Sequence, residues 1–290
     1  MIAVTAVLVI AAACGASNLA TGATEPSGPT DSSAPPDGTG STAPDGDERA
    51  LFTITFEGGF ASPAIFAAQG PLYVVTRDGR LIFQGAVPEI FPGPLVPNYQ
   101  VVDVGDLLPD LEDILDRLGI AEITEEIDTD DGDPASDIAE APTTVLTYVD
   151  GNGTHRYGAY ALGFGQPNPS GDRKRVALSD LMMTLDAAAF GGEVSQTYQS
   201  DRWQVVVDGD IPADTGVPED VRPYPLHTAV DEFEQTNFDL PCTVIIGEDA
   251  AVAAAAFTDA TQVTVWDTGS APVRLLARPL LPGEDGCANR

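Results

Sequence analysis

The chain has 290 residues and a formal net charge of −32 at pH 7, with 45 Asp and Glu against 13 Lys and Arg. A surface this negative is repelled by phosphate backbones and anionic lipid headgroups, which argues against nucleic-acid binding. Acidity of this kind is typical of a protein that stays soluble in a salty medium.

The chain begins with an apolar run, Ile2 to Ala13, that ends at Cys14. Such a run forms a helix of about 18 Å, too short for a hydrocarbon core of about 30 Å but typical of a secretory signal. The small residues around Cys14 resemble a bacterial lipobox, so we expect residues 1–14 to be a signal segment whose cysteine carries a lipid. The alternative is a signal without lipidation, since Ala11 stands where a lipobox has Leu and no basic residue precedes the run.

Residues 15–50 are dominated by Gly, Ser, Thr, Pro, Ala and Asp, and Leu19 is their only large apolar side chain. Such a segment cannot bury enough surface to offset its ordering entropy, so we expect a disordered tether. Its end-to-end distance as a flexible coil is about 30–35 Å. Lipid and tether together predict an extracytoplasmic protein anchored to the outer face of the cell membrane.

The remaining 240 residues are enough for one large or two small domains. We expect an α+β domain over 51–199 and a smaller α+β domain over 200–290. The alternative is that the two pack together as one unit. Hydrophobic periodicity and turn residues predict the elements. In chain order they are a strand 51–56, a hairpin 72–76/80–83 around Asp78-Gly79, a strand 99–104, a helix 107–118 capped by Asp106, a hairpin 143–149/155–162, a helix 175–189, a strand 203–207, a short helix 226–233, a strand 242–246, a helix 250–257 and a hairpin 262–266/273–278. Strands with helices inserted at intervals indicate antiparallel sheets built from hairpins with a few packed helices, an α+β fold.

Three cysteines are present, and assigning Cys14 to the lipid leaves Cys242 and Cys287 as a pair. In an oxidising compartment we expect these two to form a disulfide, with two free thiols as the alternative.

The residues that could carry catalysis are few. His155 lies beside a hairpin turn and His227 near a predicted helix start, and an exposed or capping role suits both. The sequence contains no Gly-x-Ser-x-Gly turn and no glycine-rich phosphate loop, so we predict no catalytic residue. Five aromatic residues fit either a ligand groove or a core, and these are Tyr157, Tyr160, Phe164, Tyr198 and Trp203.

One acidic loop is a candidate calcium site, because hard oxygen ligands at alternate loop positions suit Ca²⁺. Its carboxylates are Asp128, Asp130, Asp131 and Asp133. The register does not fit an EF-hand, since placing Gly132 at the obligatory glycine puts Ile127 at the first ligand position. The alternative is a solvated acidic loop without a metal, and no other cofactor is expected.

Several turn and strand motifs resemble those of uncharacterised cell-envelope lipoproteins from actinobacteria. The matching stretches are Phe56 to Phe60, Asp78-Gly79-Arg80, Pro92-Gly93-Pro94, Ala141 to Thr144, Tyr160 to Gly163 and the tail from Arg278 to Glu284 that leads to Cys287. The resemblance implies export, anchoring and a shared fold, and it implies no activity.

Two functions remain open. The first is a non-catalytic envelope module, anchored in the membrane through its lipid, that binds a protein, peptide or glycan. The second is a hydrolase that uses paired carboxylates, with or without calcium.

Overall fold

The computed structural model describes residues 48–87, 89–128, 139–163, 172–191, 195–209, 220–235 and 239–287. The predicted signal segment with Cys14 and nearly all of the tether lie outside these ranges, as do Asp130, Asp131 and Asp133 of the calcium candidate. From Glu48 onward the described residues belong to one compact unit, which contains two mixed sheets and four α-helices. The predicted α+β class is confirmed.

The first sheet has eight strands in the order β5-β7-β6-β1-β2-β3-β4-β8. They are β1 Ala50–Glu57, β2 Tyr73–Thr76, β3 Arg80–Gln84, β4 Tyr99–Asp103, β5 Glu125–Asp128, β6 Thr143–Val149, β7 Thr154–Tyr160 and β8 Gln196–Thr197. Neighbouring strands run antiparallel except β5, which pairs in parallel with β7.

The second sheet has six strands in the order β10-β13-β14-β9-β12-β11. They are β9 Arg202–Asp208, β10 Asp220–Pro223, β11 Glu234–Gln235, β12 Pro241–Ile246, β13 Thr264–Asp267 and β14 Pro272–Pro279. Its single parallel pair within the described residues joins β10 to β13. Every strand of the first sheet precedes residue 200, and every strand of the second follows it.

Four α-helices within the described ranges pack against the two sheets, and these are α1 Pro63–Ala68, α2 Leu108–Leu118, α3 Arg173–Phe190 and α4 Gly247–Thr258. The buried leucines and isoleucine of α2 recur every three or four residues, so one apolar stripe faces the first sheet. Helix α3 packs beside α2 in the same core. Helix α4 covers the second sheet, where Phe257 lies against Trp203 and Trp266. No helix within the described ranges is long and apolar enough to cross a bilayer.

Two element predictions were wrong. Only a 3-10 turn, Val230–Glu232, forms where a helix over 226–233 was expected. Helix α2 begins after a 3-10 turn at Gly105–Leu107 and has no side-chain cap, so Asp106 does not cap it. Pro109 suits the first turn of α2 because the amide hydrogen it lacks would have no intrahelical partner there.

The C-terminal segment, residues 280–287, contacts both sheets. Leu281 packs on Val74 and Ile82, on the face of the first sheet that α2 and α3 leave open. Cys287 forms a disulfide with Cys242 of β12, with 5.8 Å between the Cα atoms, in the pairing that the cysteine count predicts. The segment therefore ties the two sheets together.

Candidate functional site

A groove of about 580 Å³ is formed by parts of both sheets. Its walls come from the turn after β1, from α1, from Gln84 and Tyr99 on the first sheet and from Leu276 to Arg278 on β14. The lining is mostly apolar and aromatic, and the volume is in the range of protein ligand sites. It is therefore the first candidate for a binding site in the described part of the chain.

Two glycines shape the rim of this groove. Gly58 and Gly59 have φ angles of 69° and 92°, a conformation that residues with side chains rarely adopt. The turn ends β1 and brings Phe60 to the surface, where it is 90 % exposed. The sequence predicts the end of this strand from the glycine pair, but it does not indicate that Phe60 lies at a groove.

Helix α1 supplies the second rim residue. The Ser62 side chain accepts a hydrogen bond from the Ile65 backbone N–H at 3.3 Å, and Pro63 occupies the first helical position. Ile65 is 53 % exposed and lines the groove. Two large apolar side chains thus face solvent at one concave surface.

At the floor of the groove, Tyr99 and Arg278 lie beside Gly70. A Cβ at Gly70 would overlap the Tyr99 hydroxyl and lie 3.1 Å from Arg278 Nη1. The position therefore requires glycine because the two side chains approach the backbone closely.

Arg278 is held in a buried ion pair. Its Nη1 and Nη2 atoms donate to the Glu284 carboxylate at 2.6 and 3.0 Å, and these side chains are 2 % and 3 % exposed. Glu284 also accepts a hydrogen bond from the Leu281 N–H at 2.9 Å. Burial lowers the pKa of Arg278, but from a value so high that the guanidinium stays charged. The pair fixes the C-terminal segment under the groove and cancels the charge at its floor.

The groove differs in charge from the rest of the molecule. Although 45 of the 290 residues are Asp or Glu, none of the 19 described residues that line it is acidic. Arg278 is the one charged residue in that lining, and Glu284 neutralises it. Two other surface pockets of the described structure have carboxylates in their walls, such as Glu57 in one and Asp113 in the other.

Of the calcium candidate, Asp128 is the described member, and it lies in a different setting from the one predicted. The Tyr157 hydroxyl is 3.2 Å from Asp128 Oδ2 and 3.1 Å from Asp172 Oδ2. Asp172 caps α3 by accepting a hydrogen bond from the Lys174 N–H at 2.8 Å. Within the described ranges no three His, Cys, Asp or Glu residues are grouped so as to hold a metal ion. Calcium binding by the acidic loop stays a prediction.

This carboxyl pair is arranged to stabilise a helix end. Burial opposes ionisation of Asp172, but hydrogen bonds with Asp128, the Lys174 N–H and Tyr157 outweigh it and lower the Asp172 pKa. Burial and the neighbouring Asp172 and Asp128 charges raise the pKa of Tyr157, which keeps its proton.

His155 is not the exposed side chain that the sequence predicted, because it is only 12 % exposed and makes two hydrogen bonds. Its Nδ1 lies 2.7 Å from the Ile123 carbonyl oxygen and its Nε2 lies 3.1 Å from Asp150 Oδ1. These two hydrogen bonds raise the pKa of His155 above its ordinary value of 6.5. His227, by contrast, has an 85 % exposed side chain, 3.8 Å from Asp249.

The substitution His155→Gln tests the effect of the raised His155 pKa. Because the folded-state pKa is raised, the charged ring stabilises the fold fully below pH 6.5, and this contribution is lost as the pH rises through the folded-state pKa. We expect the variant to unfold at lower denaturant concentration than the wild type at pH 5.5, with a smaller difference at pH 9. His227→Gln is the matched control and should change neither midpoint. An equal deficit for His155→Gln at both pH values would contradict the charged-ring account.

The aromatic residues that the sequence singled out are not among the described residues that line the groove. Tyr157 and Trp203 are core residues of the first and second sheets, and Tyr198 packs at the edge of a smaller cluster. Tyr160 accepts a hydrogen bond from the Ala141 N–H, and Phe164 lies outside the described residues.

Comparison with known proteins adds no assignment. No protein-family model, no curated protein and no solved structure matches the chain. The resemblance to actinobacterial lipoproteins therefore stays a prediction, and function has to be argued from the groove.

Proposed function

We propose that the protein is exported, is anchored to the outer face of the cell membrane through Cys14, and binds a partner without catalysing a reaction. The apolar run before Cys14 and the polar segment of residues 15–50 support export and tethering. The disulfide between Cys242 and Cys287 supports an oxidising, extracytoplasmic location.

The proposed binding role rests on the groove, whose described lining has no carboxylate. In a chain of net charge −32, the groove combines an acid-free described lining with Phe60 and Ile65 exposed on its rim, whereas two other pockets of the described residues have carboxylates in their walls. Exposed apolar side chains gathered at one concavity mark a site where a partner buries them.

Titration with the uncharged dye N-phenyl-1-naphthylamine, which fluoresces in apolar surroundings, tests this role. The full chain with Cys14→Ala is used, so that no acyl group competes for the groove. We expect saturable binding to one site and an affinity about tenfold lower for Phe60→Ser, since burial of this side chain contributes about 1.4 kcal/mol or more.

Phe190→Ser is the matched control, because Phe190 is also exposed but lies on α3, away from the lining of the groove. It should leave the dye affinity unchanged. Absence of saturable binding, or equal losses for the Phe60 and Phe190 variants, would contradict the proposed role.

A further inference from the structure

We infer that the occupant of the groove is an extended peptide segment without charged side chains, an inference that rests on the binding role proposed above. Three features of the lining carry it: the balance of charge, the uncharged amides and the aromatic side chains. Each restricts the chemistry of the ligand in a different way.

The charge balance restricts the ligand first. The Nη1 and Nη2 atoms of Arg278 already donate to Glu284 at 2.6 and 3.0 Å and the side chain is only 2 % exposed, so its charge is balanced before a ligand binds. A cation would find no acid among the described lining residues. A charge buried here would therefore lose its water without gaining a partner, and the groove selects an uncharged ligand.

The polar groups of the lining suit a peptide backbone. Gln69 and Gln84 both line the groove, and each side-chain amide has donors and an acceptor. An extended peptide offers the complementary backbone N–H and C=O groups along its length, whereas an acyl chain offers none. Gly58 and Gly59 also present bare backbone at the rim, which lets a second backbone approach closely.

The aromatic lining points to the same class of ligand. Phe56, Phe60 and Phe66 line the groove together with Tyr99. Aromatic-lined grooves bind extended polyproline-type segments, whose preformed shape loses little entropy on binding. Phe60 is 90 % exposed, so it also offers an aromatic anchor that a partner can enclose.

Selection of a random heptapeptide display library tests the inference. The Cys14→Ala chain and the same chain with Phe60→Ser and Ile65→Asp are panned in parallel. We expect peptides that bind the first chain and not the second to contain Asp, Glu, Lys and Arg several-fold less often than the library does.

A defined peptide then sharpens the test. The best selected peptide is synthesised in three versions, which carry the original apolar residue, Lys or Glu at the central position. Their dissociation constants are measured at 0.15 M and 1 M salt. We expect both charged versions to bind at least tenfold more weakly at both salt concentrations. The Lys version discriminates best, because the net charge of −32 attracts a cation at long range while the groove offers it no acid.

The outcomes separate the two proposals. Tight binding of the Lys or Glu version would overturn the uncharged-peptide inference and leave the binding role intact. Saturable dye binding without any groove-dependent peptide would also overturn the inference, in favour of a small apolar ligand. Failure of the dye to bind would contradict the binding role itself.

Discussion

Arg278→Met is expected to lower the free energy of unfolding by about 3–5 kcal/mol, because it leaves the buried Glu284 carboxylate without its cation. Both side chains are at most 3 % exposed, so solvent does not screen the loss. Denaturant unfolding at pH 7 measures the effect.

The double substitution Arg278→Met with Glu284→Gln is the control. Gln retains an acceptor for the Leu281 N–H but carries no charge, so the double variant should recover at least half of the lost stability. Equal or greater destabilisation in the double variant would show that the pair acts through packing rather than through its charges.

Removal of the disulfide, with Cys242→Ala and Cys287→Ala, is expected to cost about 4 kcal/mol through the entropy of the unfolded chain. The two residues are 45 positions apart, so the unfolded state gains the freedom of a long loop. Thermal unfolding with and without a reductant measures the effect, as a drop of roughly 10 °C in Tm for a chain of this size.

The expected loss is in stability and not in fold. The Arg278–Glu284 pair and the contact of Leu281 with the first sheet still hold the C-terminal segment after the disulfide is removed. Cys14→Ala alone should have the wild-type Tm without reductant and the same drop in Tm as the wild type with reductant, because it keeps the disulfide. A reductant-sensitive Tm in the double-alanine variant, or an insensitive Tm in the wild type, would contradict this role.

Local patterns were enough to predict most of the strands and the main helices. Asp78-Gly79 between two β-rich segments predicts the β2–β3 hairpin, and the turn after Asp150 predicts the β6–β7 hairpin, because each signal lies within a few residues. The leucine spacing of α2 likewise predicts its buried face. Such elements are specified by their own sequence.

The missed elements depend on tertiary contacts. Strand β5 carries Glu125, Glu126 and Asp128 and forms only by pairing in parallel with β7 at the edge of the sheet. Helix α1 is six residues long, too short for a periodic signal, and is stabilised by its packing against β9 and β14. Neither feature can be read from local composition.

The candidate site was harder to predict than the fold. Its rim follows β1, while its floor comes from β4 and β14, about 180 residues apart along the chain at Tyr99 and Arg278. The absence of acid from its lining becomes visible only once these segments are together. The motifs of the sequence resemblance include part of the rim, Phe56 to Phe60, and part of the floor, the tail from Arg278. They do not indicate that these two segments meet in one groove.

Locating the dye-binding site by NMR is the most direct test of the proposed binding role. Two-dimensional ¹H–¹⁵N spectra of the labelled chain are recorded during titration with N-phenyl-1-naphthylamine. The binding role predicts saturable shifts at the amides of Gly58, Gly59 and Gly70, which line the groove, and none at Gly119 or Gly151, which lie outside its lining. Shifts at Gly119 and Gly151 with none at the three groove glycines would contradict it.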